Sequence, residues 1–286
     1  MKKAKEAGMK YLFLAAACTS VLAVALICFF LFANGIPAMG KIGFFQFLTG
    51  ETWRPSNDLY GILPMILGSI YVTGGAVLFG VPLAVLTAVF MAKFCPRILY
   101  QPLKSAIGLM AGIPSIVYGF FGLVLIVPLI RQMFPKEGDG SSMLTASVLL
   151  GIMILPTVIG VAEGAIRSVP ESYYEGALAL GATHERSVFC VMLPAAKSGI
   201  LAGVVLGIGR AIGETMAVIM VAGNQARMPA GIFKGVRTMT SNIVMEMGYA
   251  ADLHREALIA TGVVLFVFIL LINLCLSVLK RRMIHE

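Results

Sequence analysis

The chain has 286 residues, of which 59% are hydrophobic and only 13% charged, and its mean hydropathy is +0.92. This composition excludes a soluble globular domain and indicates a protein that crosses a lipid bilayer. The formal net charge is +8. However, no polar stretch contains a basic run interleaved with aromatic residues, so nucleic acid is not an expected partner.

Six apolar stretches are each about 20 residues or longer, which is the length that a helix needs to cross a bilayer. Lipid does not tolerate unpaired backbone groups, so the fold class is predicted to be all-α, a polytopic bundle of six transmembrane helices. The predicted spans are 11–33, 62–92, 107–130, 143–166, 198–223 and 257–279. We place a domain boundary at residue 61. Residues 1–61 then hold the N-terminal transmembrane helix and an extracytoplasmic loop, and 62–286 form the core domain.

The distribution of basic residues predicts the orientation. Both termini and the connections on their side of the membrane carry 13 basic residues, whereas the opposite connections carry 8. Because cytoplasmic loops are enriched in lysine and arginine, both termini and the polar segment 168–194 are expected in the cytoplasm.

The two long extracytoplasmic segments are 34–61 and 223–256. Aromatic residues around Trp53 in the first are expected at the boundary between membrane and water. The second carries Arg227, Lys234 and Arg237 ahead of several hydroxyl residues. It could receive an anion or a binding protein, and a solvated loop is the alternative.

Cysteine and histidine provide no chemical site. The five cysteines are scattered, so neither a disulfide framework nor a metal site is expected. His184, His254 and His285 are isolated, and we interpret them as surface or loop residues. There is no glycine-rich phosphate loop ending in Lys-Ser or Lys-Thr. This chain is therefore not expected to be an ATPase, to hold catalytic residues or to bind a cofactor.

Segment 168–194 lies between the fourth and fifth predicted spans and has the pattern of a helix-turn-helix. Ser168 and Glu171 have the spacing of a capping box, which predicts a helix start, and Gly181 is a natural helix stop. Thr183 can cap a second helix that runs to Leu193. A partner protein in the cytoplasm could bind such a helix-turn-helix and move it. The alternative is an interfacial helix that lies on lipid.

The same segment contains a longer spaced pattern. It consists of Glu175-Gly176-Ala177, then Gly181, then Val191 and Leu193-Pro194. This pattern resembles the EAA loop of the permease subunits of binding-protein-dependent ABC importers, with Gly176 and Val191 as mild departures. The resemblance implies the type I ABC importer permease fold. It also implies that Glu175, Gly176, Ala177, Gly181, Leu193 and Pro194 couple this chain to an ATPase.

The fifth predicted span carries two charged residues, Arg210 and Glu214, near the middle of an apolar run. Their spacing of four predicts one shared helix face, with the two residues about 6 Å apart along the axis. A charge at the membrane centre costs at least about 2.5–3.5 kcal/mol, so such residues usually line a pathway. The alternative is a self-neutralising pair that locks two helices. Gly203, Gly207 and Gly213 are expected to let helices approach closely.

The third and fourth predicted spans carry weaker polar signals. Pro114 would kink the third span in the membrane, and Ser115 and Tyr118 would place hydroxyl groups there. The kink could lie beside a substrate path or could serve packing. Glu163 and Arg167 form a second spaced pair, which we interpret as a snorkelling ion pair at the cytoplasmic end of the fourth span.

Three further segments narrow the resemblance. Residues 111–122, 154–157 and 209–218 are similar to those of phosphate-specific ABC importers, and to their PstC-type permease rather than the PstA-type partner. The resemblance implies import of inorganic phosphate across the bacterial cytoplasmic (inner) membrane. The implied partners are a PstA-type second permease, a dimer of ATPase subunits that binds ATP and magnesium, and an extracytoplasmic phosphate-binding protein. The substrate path would include Arg210, Glu214, Ser115, Tyr118 and Thr215.

The resemblance also implies a mechanism. ATP binding by the partner subunits would move the segment Glu175 to Pro194 and open the path outward, and hydrolysis would reset it. Arg210 would offset the charge of the anion, while Glu214 would orient Arg210. Two alternatives remain open: a permease for another oxyanion such as molybdate or sulfate, and a non-transporting membrane partner that signals phosphate status.

Overall fold

The computed structural model describes the backbone of residues 2–285 and the side chains of residues 9–275, 277 and 278. Helices dominate this part of the chain, as predicted. They are α1 Lys2–Ile42, α2 Phe44–Thr49, α3 Leu63–Val89, α4 Arg97–Gly112, α5 Ser115–Phe121, α6 Val127–Met133, α7 Met143–Arg167, α8 Glu171–Ala179, α9 His184–Ser187, α10 Leu193–Gly213, α11 Met216–Val221, α12 Met239–Glu246 and α13 Asp252–His285. Two short strands, β1 Trp53–Arg54 and β2 Leu59–Tyr60, form an antiparallel hairpin.

Within the described residues, six helical stretches are long and apolar enough to cross a membrane, which confirms the predicted number. They run Met9–Ile42, Leu63–Phe94, Ser115–Met133, Met143–Arg167, His184–Gly213 and Asp252–Cys275. The third and fifth differ most from the predicted bounds, because each is interrupted by a break in the helix.

The centre of the bundle is α7, which packs between α3 and α10. Small residues bring these helices together. A Cβ added at Gly80 would lie 2.7 Å from the Gly151 carbonyl oxygen, and one added at Gly207 would lie 2.6 Å from Val158 Cγ2. Gly203 also packs on α7, whereas Gly213 has no neighbour within 4 Å of an added Cβ. The prediction of close approach is thus confirmed for Gly203 and Gly207 and wrong for Gly213, which ends α10.

In the described backbone, three π-helical turns of five residues widen the helices, and each ends two residues before a proline. The turns are Phe90–Phe94, Gly122–Ile126 and Val188–Met192, followed by Pro96, Pro128 and Pro194. Pro128 and Pro194 lie inside helices, where a proline ring clashes with the carbonyl group four residues earlier and a wider turn relieves that clash. Pro96 lies past the end of its helix, because Cys95 is extended, with ψ 125°.

The third predicted span begins with a break rather than a kink. α4 ends at Gly112, and Ile113 is extended, with φ −70° and ψ 126°. A proline disfavours helical backbone in the residue before it, so Pro114 ends α4 and precedes α5. The single helix predicted over 107–130 is therefore wrong at its start.

The fifth predicted span also differs from the structure at both ends. One continuous helical stretch runs from His184 to Gly213, so the second helix of segment 168–194 does not end at Leu193. At the other end α10 stops at Gly213, and Glu214 is extended, with φ −69° and ψ 132°. The single helix predicted over 198–223 is therefore wrong.

One end of the bundle is covered by residues 43–62 and 222–251, which we call the loop layer. It packs on α1 and α13 around a buried cluster that includes Phe47, Trp53, Tyr60, Met239 and Leu258. Phe47 and Trp53 are thus inside the protein, and only Phe44 and Phe45 of the predicted boundary aromatics are exposed. Hydrophobic burial therefore fixes the hairpin against the spans.

Candidate functional site

Glu214 lies at the break between α10 and α11 and bonds to the second of these helices. Its Oε1 accepts a hydrogen bond from the backbone N–H of Ala217 at 3.2 Å. The carboxylate thus satisfies one of the N–H groups that the first turn of α11 leaves unpaired. The predicted shared helix face of Arg210 and Glu214 is wrong, because the helix ends before Glu214.

Arg210 lies in the last turn of α10, and its side chain is exposed. Nη1 donates to Oγ1 of Thr157 on α7 at 3.3 Å. Within the described residues, Arg210 forms no ion pair. Thr157 is 14 residues after the start of α7 and 10 before its end, about 21 Å and 15 Å along the axis. Arg210 is therefore a cation near the middle of the bundle that lacks a carboxylate partner in the described chain.

The two helix breaks lie beside each other, because α5 packs against α11. A Cβ added at Gly119 would lie 2.9 Å from Ala217 Cα. Tyr118 also belongs to the same buried cluster as Ala211, the residue that follows Arg210. The structure thus brings Ser115 and Tyr118 on α5 to the same region as Arg210 and the start of α11.

Two of the hydroxyl groups in this region, those of Tyr118 and Thr215, are engaged by the backbone. Tyr118 donates to the Met110 carbonyl at 2.9 Å, across the break before α5, and Thr215 donates to the Gly213 carbonyl at 3.2 Å. The Met110 carbonyl also accepts from the Ile113 N–H at 3.3 Å, so the Tyr118 hydroxyl adds a second bond to it across the break. Among the five predicted path residues, Arg210 carries the positive charge and its side chain is exposed, so it is the residue best suited to attract a mobile anion.

Segment 168–194 contains a helix that stops at Gly181, as predicted. Gly181 has φ +85°, the left-handed conformation that glycine adopts most easily. Its N–H donates to the Leu178 carbonyl at 2.9 Å, and that of Ala182 donates to the Ala177 carbonyl at 3.1 Å. This is a Schellman ending, which turns the chain sharply from α8 into α9.

Of the two helix starts predicted in segment 168–194, at Ser168 and at Thr183, the structure shows only the second. Thr183 caps the second helix, since its Oγ1 accepts from the Arg186 N–H at 3.4 Å, and that prediction is confirmed. The capping box at Ser168 is wrong. Ser168 follows the end of α7, where its hydroxyl donates to the Ala165 carbonyl at 2.8 Å, and Pro170 precedes α8.

α8 presents an exposed face. Glu175, Gly176, Leu178 and Leu180 are exposed on or just after it, and Leu180 reaches 91% exposure. Ala177 is turned inward. The other two residues predicted to couple to an ATPase, Leu193 and Pro194, lie inside the continuous helix at the start of α10, away from the turn at Gly181.

The opposite face of α8 is fastened to the second span. Lys93 forms an ion pair with Glu171 at 3.0 Å and lies over the Tyr174 ring, 5.2 Å from its centroid. The Tyr174 hydroxyl is 2.7 Å from Nδ1 of His184, and the His184 ring packs edge-on against Phe94. A force applied to α8 would therefore reach both the second and the fifth spans.

A second charged centre, in the loop layer, is absent from the predictions. The carboxylate of Glu246 meets Arg237 Nη1 at 2.6 Å, His254 Nε2 at 2.8 Å and Trp53 Nε1 at 2.8 Å. The three charged or titratable side chains are 8–14% exposed. The interpretation of His254 as an isolated surface or loop residue is therefore wrong, and it is also wrong for His184, which contacts Tyr174 and Phe94. The His285 side chain lies outside the described residues. Arg237 points inward rather than toward an incoming anion. Trp53 and Glu246 are 193 residues apart, so no local spacing indicates the contact.

Comparison with known proteins defines the class. A family model described as "Binding-protein-dependent transport system inner membrane component" matches residues 80–285. The chain belongs to this family and is a multi-pass inner-membrane transport subunit.

Relatives and solved structures narrow the comparison. The chain is 41% identical to the probable ABC transporter permease protein YqgH of Bacillus subtilis over 236 residues, 80% of this chain and 76% of the relative. It is 35% identical to the phosphate transport system permease protein PstC of Mesorhizobium japonicum over 261 residues, 85% of this chain and 80% of that protein. The predicted resemblance to PstC-type permeases is confirmed.

The fold comparison agrees. An inward-facing structure of the MetNI methionine ABC transporter matches with a TM-score of 0.63 at 19% identity, over 81% of this chain and 99% of that chain. A bacterial alginate ABC transporter in complex with its pentasaccharide-bound periplasmic protein matches with a TM-score of 0.61 at 17% identity, over 93% and 94%. The predicted type I ABC importer permease fold is confirmed.

Proposed function

We propose that this chain is the PstC-type permease subunit of an ATP-driven importer that moves inorganic phosphate across the bacterial cytoplasmic membrane. Relatives named for phosphate transport support the substrate. The observation that carries the proposal is the isolated cation: Arg210 lies near the middle of the bundle, and Glu214 bonds to α11 instead of neutralising it. A planar guanidinium can donate two parallel hydrogen bonds to a phosphate group.

The path runs between this chain and a second permease of the PstA type. Because a charge near the membrane centre costs at least about 2.5–3.5 kcal/mol, exposed Arg210 needs water or an anion beside it. Phosphate would supply that negative charge as it passes. Thr157 fixes the guanidinium from α7, while Ser115, Tyr118, Glu214 and Thr215 shape the path around the two helix breaks.

ATP binding and hydrolysis take place in a separate dimer of ATPase subunits, which also binds magnesium. The exposed face of α8, with Glu175 and Leu178, docks on that dimer in the cytoplasm, on the side of both termini. The helical stretch from His184 to Gly213 has 30 residues, about 45 Å. It joins the coupling turn to Arg210 without a loop. Movement of the turn can thus shift Arg210 directly.

The continuous helix between the turn at Gly181 and Arg210 also explains how ATP binding opens the substrate path to the outside. Closure of the ATPase dimer on ATP pulls the coupling turn and opens the path toward the loop layer, where a phosphate-binding protein delivers its ligand. Hydrolysis then returns the path to the inward-open state. No cofactor bound by this chain is required for any of these steps.

The first test measures uptake of labelled phosphate by the reconstituted complex. Arg210→Gln keeps much of the side-chain length and hydrogen bonding but removes the charge, so we expect uptake to fall at least about tenfold, which is about 1.4 kcal/mol. Arg210→Lys should recover part of the rate, because a point charge replaces a fork. Arg54→Gln removes an exposed arginine from the loop layer and serves as the matched control.

Three outcomes of this experiment would contradict the proposal. Normal uptake in Arg210→Gln would exclude the role of that charge. Competition by molybdate or sulfate that exceeds competition by unlabelled phosphate would assign another oxyanion. A complex that hydrolyses ATP but takes up no phosphate would indicate the signalling partner.

The coupling assignment has its own test, the ratio of phosphate uptake to ATP hydrolysis. Gly181→Pro cannot keep the φ of +85°, because proline fixes φ near −65°, so we expect uptake to be lost while the spans insert normally. Glu175→Ala should lower the ratio by removing an exposed charge from the docking face. Gly40→Ala is the control, since Gly40 lies in α1 away from α8 and nothing lies within 4 Å of the added Cβ. Equal ratios in all variants would refute the assignment.

A further inference from the structure

A basic pocket of about 320 Å³ lies where the second span ends and α4 begins. Its lining includes Lys93, Arg97, Tyr100 and Arg167. None of these residues belongs to the path around Arg210 or to the exposed face of α8. The pocket therefore lies at the same end of the bundle as α8 but is separate from the exposed face of that helix.

The pocket has an excess of positive charge. Lys93 is paired with Glu171, and Arg167 with Glu163 at 2.7 Å, which confirms the predicted pair. Within the described residues, Arg97 and Nη1 of Arg167 make neither a hydrogen bond nor an ion pair. These two groups can therefore meet an anion without first breaking a contact in the chain.

Tyr100 holds the cations in place. Its hydroxyl donates to Glu163 Oε1 at 2.6 Å, and its ring lies 4.4 Å from the Arg167 guanidinium carbon. Lys104 donates to the same hydroxyl at 2.8 Å, and this bond raises the pKa of Lys104, which stays cationic. The local count is four cations and two carboxylates.

The surroundings of the pocket are apolar. Leu103 and Ile107 of α4 are partly buried against the bundle. The helix contains no fully buried residue, and Ile98, Leu99 and Leu109 are exposed, with Ile98 at 91% and Leu109 at 75%. These side chains start beside the pocket and follow a helix that leads toward the membrane-spanning α5. A ligand that fits both surfaces combines an anionic group with hydrocarbon chains.

We propose that this pocket binds the headgroup phosphate of an anionic phospholipid in the leaflet that meets this end of the bundle. Arg97 and Arg167 contact the phosphodiester, and the acyl chains lie along the exposed apolar side of α4. Basic pockets beside transmembrane helices are suited to such headgroups. The inference rests on the membrane assignment and is independent of the substrate proposed above.

The test is lipid binding to the full purified chain in detergent, measured by native mass spectrometry with phosphatidylglycerol and phosphatidylcholine. We expect phosphatidylglycerol to bind more tightly than phosphatidylcholine. Arg97→Gln should weaken phosphatidylglycerol binding about fivefold, the contribution of one basic residue near an anionic surface. Arg131→Gln is the control, since Arg131 is exposed at the opposite end of the bundle.

Specific outcomes of this experiment would overturn the phospholipid proposal. Equal binding of both lipids, or an equal loss in Arg97→Gln and Arg131→Gln, would overturn it. A further measurement adds inorganic phosphate to the lipid-bound protein. The phosphate concentration is about 1 mM, on the order of the dissociation constant of a weak ligand. Displacement of the lipid by phosphate would assign the pocket to the free anion, and persistence of the lipid would support the phospholipid.

Discussion

Arg210 and Arg237 each have an acidic residue nearby in the sequence of an apolar protein, but the structure treats them differently. Arg237 meets Glu246 at 2.6 Å, and the same carboxylate also binds His254 and Trp53. Arg210 is only four residues from Glu214, yet the helix ends between them and Glu214 bonds to Ala217. Arg237 and Glu246, which are farther apart in the sequence, form a buried ion pair. Arg210 and Glu214, which are closer in the sequence, form none.

This difference indicates that Arg237 has a structural role, whereas the charge of Arg210 is available to a substrate. A buried pair that is fully hydrogen-bonded can join segments, and Glu246 joins the hairpin, α12 and α13. An unpaired cation near the middle of a membrane costs free energy in the resting protein and is stabilised when an anion arrives. The predictions below test the two centres in order of expected effect.

The largest effect is expected for Glu246→Ala. It leaves Arg237 largely buried, with 14% of the side chain exposed, and removes the acceptor for Trp53. Breaking one partner of a buried pair is strongly destabilising, so we expect the free energy of unfolding to fall by about 3 kcal/mol. Thermal or denaturant unfolding of the purified chain measures it, with Glu51→Ala in the same loop layer as an exposed control. A loss below about 1 kcal/mol would place this pair among weak surface contacts.

A smaller effect is expected at Glu214. Glu214→Leu removes the acceptor for the Ala217 N–H and should cost about 1 kcal/mol, the usual value of a helix cap. Glu214→Gln keeps a side-chain oxygen at that place, so its stability and phosphate uptake should stay near those of the parent chain. If Glu214→Gln abolished uptake while Glu214→Leu retained it, the capping role would be wrong.

Local features were predictable from the sequence. The number of spans follows from apolar length, and the turn at Gly181 with the cap at Thr183 follows from residues that act on their immediate neighbours. Arg210 could be singled out because a charge inside an apolar run is costly wherever its partner lies. Ser168 failed as a cap because α7 continues to Arg167 and its packing overrides the local signal.

Features that depend on distant contacts were not predictable. Pro114 could produce a kink or a break, and the choice depends on how α4 and α5 pack on α7. The end of α10 at Gly213 has no breaking proline to indicate it. The Glu246 centre joins three separate segments, so its residues look unrelated along the chain.

The most direct test of the central claim is phosphate uptake by the double variant Arg210→Leu with Glu214→Leu. If the two residues were only a mutually neutralising pair, replacing both by apolar side chains would leave a competent protein, since buried pairs can often be exchanged for packing. Our account predicts that the complex still assembles but that uptake stays at the level of Arg210→Gln, because no cation remains for phosphate. Full uptake in the double variant would contradict the account.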